Sequence, residues 1–284
     1  MMITRQTWYM KETDGVSFLE FPILDKLGIV KHGFSTRLGG VSSGIFSSMN
    51  LSFTRGDNPD CVLENFKRIS NAIGFDYREL VLSDQTHTNN IRVVTKEDKG
   101  KGIVKRRDYK DIDGLVTNVP NIPLATFYAD CVPLFFVDQE KLVIGLSHSG
   151  WQGTVKKIAS HTIDCMKDKF ACEPKDIVVC IGPSICKDCY EVSEDVATRF
   201  NEVFFPHQVK EIIFQKENGK YLLDLWRANE LILLDSGILK GNISLPGLCT
   251  CCNKDLLFSH RATNGKRGNL GAFLMLKEQH IFTK

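Results

Sequence analysis

The chain has 284 residues, 43% of them hydrophobic and 25% charged, which places it among ordinary globular proteins with room for a sizeable core. Thirty-six basic and 34 acidic side chains leave a formal net charge of +2, so no bulk attraction to nucleic acid or an anionic membrane is expected. Ten cysteines in a chain of this size, with no secretory leader and no apolar stretch long enough to span a bilayer, point to reduced thiols in the cytoplasm.

In chain order, Val16 to Leu27 reads as strand material, and Gly33-Phe34-Ser35-Thr36-Arg37-Leu38-Gly39-Gly40 reads as a turn presenting Arg37. Asn58-Pro59-Asp60 opens a helix. Val62, Phe66, Ile69 and Ile73 form its apolar stripe, and Gly74 stands where a C-terminal cap belongs. A strand follows at Glu79 to Ser83, and a polar segment carrying His87 leaves it. Lys96 to Lys110, with Gly100 and Gly102, reads as a mobile surface loop, after which Asp111 to Thr117 returns to a strand.

The centre of the chain is Ile122 to Thr154. Two apolar runs joined by a turn carry Cys131 inside the first and His148 at the end of the second, so pairing of the two runs would bring both side chains together. The helix expected after His148 has Val155, Ile158, Ala159, Ile163, Met166 and Phe170 as one buried stripe. Gly150 and Gly153 in the turn before it would leave backbone N–H groups free for an anion. Ser193 and Asp224 are placed to cap two later helices.

His87, Cys131 and His148 fit a catalytic zinc site, which takes three protein ligands and keeps a fourth position open. Two imidazoles and one thiolate also suit copper. A thiol with an adjacent imidazole base is equally the equipment of a cysteine hydrolase. A second group, Cys186 and Cys189 with Cys249, Cys251 and Cys252, has the makings of a structural zinc site, but adjacent Cys251 and Cys252 cannot easily share one tetrahedron with Cys249.

The ordered motifs Gly33-Phe34-Ser35-Thr36-Arg37, Gln85-Thr86-His87, Asp113-Gly114-Leu115-Val116-Thr117, Ala129-Asp130-Cys131-Val132-Pro133, His148-Ser149-Gly150-Trp151, Ile181-Gly182-Pro183-Ser184, Tyr190-Glu191-Val192, and Cys249-Thr250 with Phe258-Ser259-His260-Arg261 span nearly the whole chain. Together they resemble the laccase-domain family, also called multicopper polyphenol oxidases or peptidoglycan editing factors, whose members include bacterial purine nucleoside phosphorylases. The resemblance implies one α/β (α+β) domain over 1–284, with mixed sheets sandwiched between helices as α/β/β/α layers. It also implies a metal, usually zinc, on His87, Cys131 and His148. The reaction implied is phosphorolysis of adenosine, inosine and methylthioadenosine to free base and ribose 1-phosphate, with adenosine deamination as a side activity.

Arg37, His260 and Arg261 are the candidates for phosphate, ribose or base contacts, since guanidinium matches phosphate in bidentate geometry. Asp130 is the candidate acid/base beside Cys131. Family members often carry Arg or Lys after the Trp of the His148 motif, where this chain has Gln152. A copper-dependent polyphenol oxidase, a cysteine-type editing hydrolase acting on peptidoglycan precursors and a binding module are the alternatives. The oligomeric state stays open between monomer and weak homodimer.

Overall fold

The computed structural model describes residues 6–278. Its elements in chain order begin with strands β1 (Tyr9–Thr13) and β2 (Val16–Glu20), a short helix α1 (Pro22–Asp25), β3 (Val30–Ser35) and helix α2 (Pro59–Ile73). Then come β4 (Val81–Leu82), β5 (Ile91–Val93), β6 (Gly114–Thr117), β7 (Leu124–Tyr128), β8 (Val132–Asp138) and β9 (Val143–Ser149). Helices α3 (Trp151–Val155) and α4 (Ile158–Phe170) lead to β10 (Ile177–Ile181) and β11 (Glu191–Val192). The chain closes through α5 (Glu194–Val203), α6 (Pro206–Ile212), β12 (Ile213–Gln215), β13 (Tyr221–Leu223), α7 (Leu225–Asp235), β14 (Ile243–Ser244) and β15 (Leu270–Leu276).

Two six-stranded mixed sheets carry the fold, in the orders β1-β2-β3-β15-β7-β4 and β14-β10-β8-β9-β6-β5, with a small third sheet β11-β13-β12. Side chains alternate between faces along each strand, and this sorts the core into layers. From β8, Phe135 and Val137 join Leu124, Tyr128, Leu270, Ala272 and Leu274 of the first sheet in the core between the sheets. Leu134 and Phe136 face the other way, onto α4, α5 and α7 through Ile163, Met166, Phe200 and Leu231. On the outer face of the first sheet, Phe18, Ala125 and Phe273 pack on Val62, Phe66, Ile69 and Ile73 of α2. The order helix, sheet, sheet, helix is the layering expected.

Helix α2 forms where its signals lie. Asn58 Oδ1 accepts the Asp60 N–H at 2.9 Å, and Gly74 ends the helix at φ +93°.

The structure departs from the sequence reading in several places. Val16 to Leu27 is strand only as far as Glu20, because Pro22 opens α1; Gly33 to Ser35 of the expected Arg37 turn belongs to β3; and the strand expected at Glu79 to Ser83 is only β4. Ser193 precedes α5 without a side-chain cap bond, whereas Asp224 caps α7. The first central run is not one strand: it breaks at Ala129-Asp130-Cys131, where Asp130 has φ +87°, so β7 lies in the first sheet and β8 in the second. Cys131 therefore sits at the crossing between sheets rather than inside a strand. The single helix expected after His148 is interrupted at Lys157, whose φ of +56° ends α3 after five residues. The stretch 96–110 is anchored, not loose: Tyr109 donates to Leu82 O at 2.7 Å, Arg107 pairs with Asp84 at 2.8 Å, and buried Asp98 receives Arg92 and Lys101.

Candidate active site and metal centre

The β8–β9 pairing sets Val132 opposite Ser149 and Pro133 opposite His148, which delivers Cys131 and His148 to the same end of the second sheet. His87 arrives from the loop after β4. The ligand atoms of His87, Cys131 and His148 lie within 4.8 Å of one another. Cys131 Sγ is 4.0 Å from His87 Nε2, and the two imidazole rings meet edge to face at 4.9 Å. A Cβ on Gly150 would stand 2.8 Å from His87 Cδ2 and 3.1 Å from Cys131 Sγ, so only glycine leaves room for this grouping. Gly153 plays no such part, because it is buried within α3 against the backbone of His148 and Thr88. With α3 only five residues long, the anion-binding terminus expected there has little support.

Asp113 organises the group. Its side chain accepts His148 Nδ1–H at 2.8 Å and the backbone N–H groups of Thr86, His87 and Thr88 at 2.9 to 3.1 Å, and its backbone carbonyl accepts the His148 N–H at 2.8 Å. One carboxylate thus fixes the tautomer of one histidine, leaving its Nε2 for a metal, and holds the loop that bears the other. The loop needs the help, since His87 has φ +64°. Burial alone would raise the Asp113 carboxyl, but the bond from His148 and the Thr88 and Thr86 amides more than offset it and bring it to about 2. Burial would also raise the Cys131 thiol. The adjacent His148, then His87, pull it below its ordinary value. His148 is raised despite its burial, by the Cys131 sulfur and Asp113. Two imidazoles, a thiol inclined to ionise and a supporting carboxylate suit zinc or a similar borderline cation.

Over these residues opens a cavity of about 490 Å³ whose wall includes Tyr128, Phe53, Asn269 and three arginines, Arg55, Arg107 and Arg267. Arg267 is 8% exposed, its Nε has no hydrogen-bond partner, and burial followed by the charge of Arg55 lowers its pKa to about 10. Arg107 is paired with Asp84, but Arg55 and Arg267 have no carboxylate partner among the ion pairs of the described residues, and such cations facing a cavity make it receptive to an anion.

The other sequence candidates fall elsewhere. Arg37 donates from Nε to Ser47 O at 2.9 Å and from Nη1 to Lys254 O at 2.8 Å, and its guanidinium lies 4.7 Å from the centre of the Phe258 ring. It ties loops together outside the cavity lining. Arg261 likewise donates to Glu191 O at 2.8 Å and packs near Tyr190. His260 is exposed, and burial of part of its ring, with Arg267 nearby, lowers its pKa. Asp130 accepts Thr250 Oγ1 and the Arg261 N–H, both at 2.7 Å, one on each oxygen. Asp130 thus ties the Thr250 and Arg261 loop to the sheet crossing and is not among the residues lining the cavity.

Comparison with known proteins places this geometry. A sequence model described as multi-copper polyphenol oxidoreductase laccase matches residues 31–277. The chain belongs to that family. A relative in Bacillus subtilis named purine nucleoside phosphorylase YlmD is 39% identical over 250 residues, 87% of this chain and 88% of the relative. The human relative named purine nucleoside phosphorylase LACC1 is 33% identical over 254 residues, 87% of this chain and 56% of that protein. Among solved structures, YlmD from Geobacillus stearothermophilus superposes with a TM-score of 0.88 at 32% identity, covering 96% of this chain and 99% of that one. Among the described residues no helix is long and apolar enough to cross a membrane.

The arginines of the cavity and Asp113 are the residues that sequence reasoning missed. Asp113 was visible as part of a motif, and a carboxylate is what a metal-binding histidine needs behind it. Arg55, Arg107 and Arg267 come from three separate loops, and nothing local distinguishes them from surface cations.

Proposed function

We propose that this family member is a zinc-dependent purine nucleoside phosphorylase acting on adenosine, inosine and methylthioadenosine, with His87, Cys131 and His148 holding the metal. The observation that carries the reading is the joining, in one cavity, of this ligand set with a wall of arginines that includes buried, unneutralised Arg267. The names of the relatives in Bacillus subtilis and human point the same way.

In this reading phosphate binds against Arg267 and Arg55, with Arg107 at the rim. Their charge orients one phosphate oxygen toward the sugar C1′. That oxygen bonds to C1′ as the bond from C1′ to the purine nitrogen breaks. The electron pair leaves with the base, which takes up a proton, and ribose 1-phosphate remains. The aromatic rings of Tyr128 and Phe53 offer faces for the purine or ribose. His87, Cys131 and His148 would hold zinc, which would supply a Lewis acid when bound. The accompanying side activity is deamination of adenosine, in which water adds at the purine C6 and ammonia leaves to give inosine. Arg37, Arg261 and Asp130 shape the surrounding loops, and Gln152 needs no cationic substitute once the arginines of the wall are counted.

A second reading, a cysteine hydrolase, is favoured by the lowered thiol of Cys131 beside His148. Two treatments separate the two. If zinc is required, a chelator abolishes base release and added zinc restores it. If Cys131 is a nucleophile, the chelator leaves activity intact while a thiol alkylator abolishes it. Base release that continues at full rate in the absence of phosphate would overturn the phosphorylase reading. Phenol oxidation requiring copper and dioxygen would move the assignment to the oxidase.

A further inference from the structure

We infer that a second metal site, a closed four-thiolate zinc site, is formed by Cys186, Cys189, Cys249 and Cys252. It is separate from the cavity described above and does not depend on the activity proposed for it. The four Sγ atoms lie within 4.8 Å of one another, and none of these cysteines is in a disulfide. In a tetrahedron with zinc–sulfur bonds of about 2.3 Å, the sulfurs stand about 3.8 Å apart. Cys189 Sγ and Cys252 Sγ, at 3.4 Å, already approach that edge length. Iron–sulfur cubanes attach each thiolate to a different iron and need a wider frame, so a single ion fits better.

The spacing supports the same conclusion. Cys186-Lys187-Asp188-Cys189 and Cys249-Thr250-Cys251-Cys252 are two Cys-x-x-Cys turns, the usual way to supply paired thiolates. Cys251 is the odd residue out, and its adjacency to Cys252 no longer argues against the site. Each turn also turns backbone donors onto sulfur: the Cys186 and Cys252 N–H groups point to Cys249 Sγ at 3.2 and 3.4 Å. Such donors stabilise a metal-bound thiolate. Cys252 is exposed and Cys186 and Cys189 only half-buried, which is unlike thiols kept as core packing.

The two turns lie on different loops, joined beside the parallel bridge of Ser184 and Cys249. The second loop carries Thr250 and Arg261, both bonded to Asp130, whose neighbour is Cys131. An ion at the four thiolates would therefore clamp the segment that holds Asp130 in its left-handed conformation. Its task is structural.

The test is elemental analysis of the full chain, purified without added metal and dialysed. The Cys131→Ala protein leaves the four-thiolate cluster untouched and is expected to keep about one zinc per chain. Adding Cys252→Ser to it should remove that zinc, whereas adding Cys251→Ser should not. A folded Cys131→Ala protein without zinc, or with iron in its place, or with Cys189 joined to Cys252 in a disulfide, would overturn the assignment. Should Cys252→Ser fail to fold, cobalt(II) titration of metal-stripped Cys131→Ala serves instead. Strong thiolate-to-cobalt charge-transfer absorption at one equivalent supports the site, and its absence refutes it.

Discussion

Two groups of side chains able to hold a metal ion are built in opposite ways in this molecule. His87, Cys131 and His148 come from a loop, a sheet crossing and a strand end. They leave one side open to a cavity of about 490 Å³. Cys186, Cys189, Cys249 and Cys252 come from two short turns and surround their centre with four thiols. Three ligands with an open position suit chemistry, and four thiolates with none suit architecture. Cysteine alone does not separate the two roles; the histidines, the carboxylate behind them and the cavity do.

The largest expected effect tests the open site. His87→Ala should reduce phosphorolysis by more than the roughly 100-fold typical of losing a residue behind a ligand. If His87→Ala keeps wild-type activity, the open site is not the catalytic one. Next comes Asp113→Asn, which removes the acceptor shared by His148 and the His87 loop. Zinc affinity measured by competition with a chelator should fall about 10- to 100-fold, and zinc at the four thiolates should stay bound. Equal loss at both sites would mean that they are not separate.

A smaller effect separates the arginines. Arg267→Ala should raise KM for phosphate about tenfold, as expected for a lost charge-assisted hydrogen bond, with little change in KM for nucleoside. Arg37→Ala should leave both KM values alone and lower the melting temperature, since its guanidinium bonds carbonyls of Ser47 and Lys254. The reverse pattern would exchange their roles.

The smallest effect sets a baseline for acid titration of either group. His32 is buried away from both, accepts the Phe21 N–H at 2.8 Å, and burial lowers its pKa to about 4 from 6.5. The unfolded chain therefore binds this proton more readily, so stability falls as pH drops from 6.5 and levels off below 4. Melting temperature measured across that window should decline less steeply in His32→Gln. An unchanged slope would place the acid sensitivity elsewhere.

Much of this arrangement was legible in the sequence where the signal was local. Asn58, Pro59 and Gly74 mark α2 because caps and first-turn prolines act within a few residues. Cys131 and His148 were expected to meet because two apolar runs joined by a turn tend to pair, as β8 and β9 do. The interruptions were not legible. Asp130 and Lys157 adopt positive φ without being glycine, for reasons supplied by tertiary contacts such as Thr250 and Arg261 on the Asp130 carboxylate. The pocket arginines escaped notice because β15 brings Arg267 back to the middle of the first sheet from the far end of the chain. The thiol cluster is legible as a candidate zinc site, but which of Cys249, Cys251 and Cys252 belong to it is not, because adjacent Cys251 and Cys252 obscure the Cys-x-x-Cys spacing.

The most direct measurement of the central claim is hypoxanthine release from inosine by wild type and by Cys131→Ala, each with and without phosphate. The account predicts hypoxanthine and ribose 1-phosphate in equal amounts, only from wild type and only with phosphate, while the folded variant retains its four-thiolate zinc. Release that ignores phosphate, or that survives in Cys131→Ala, would contradict it.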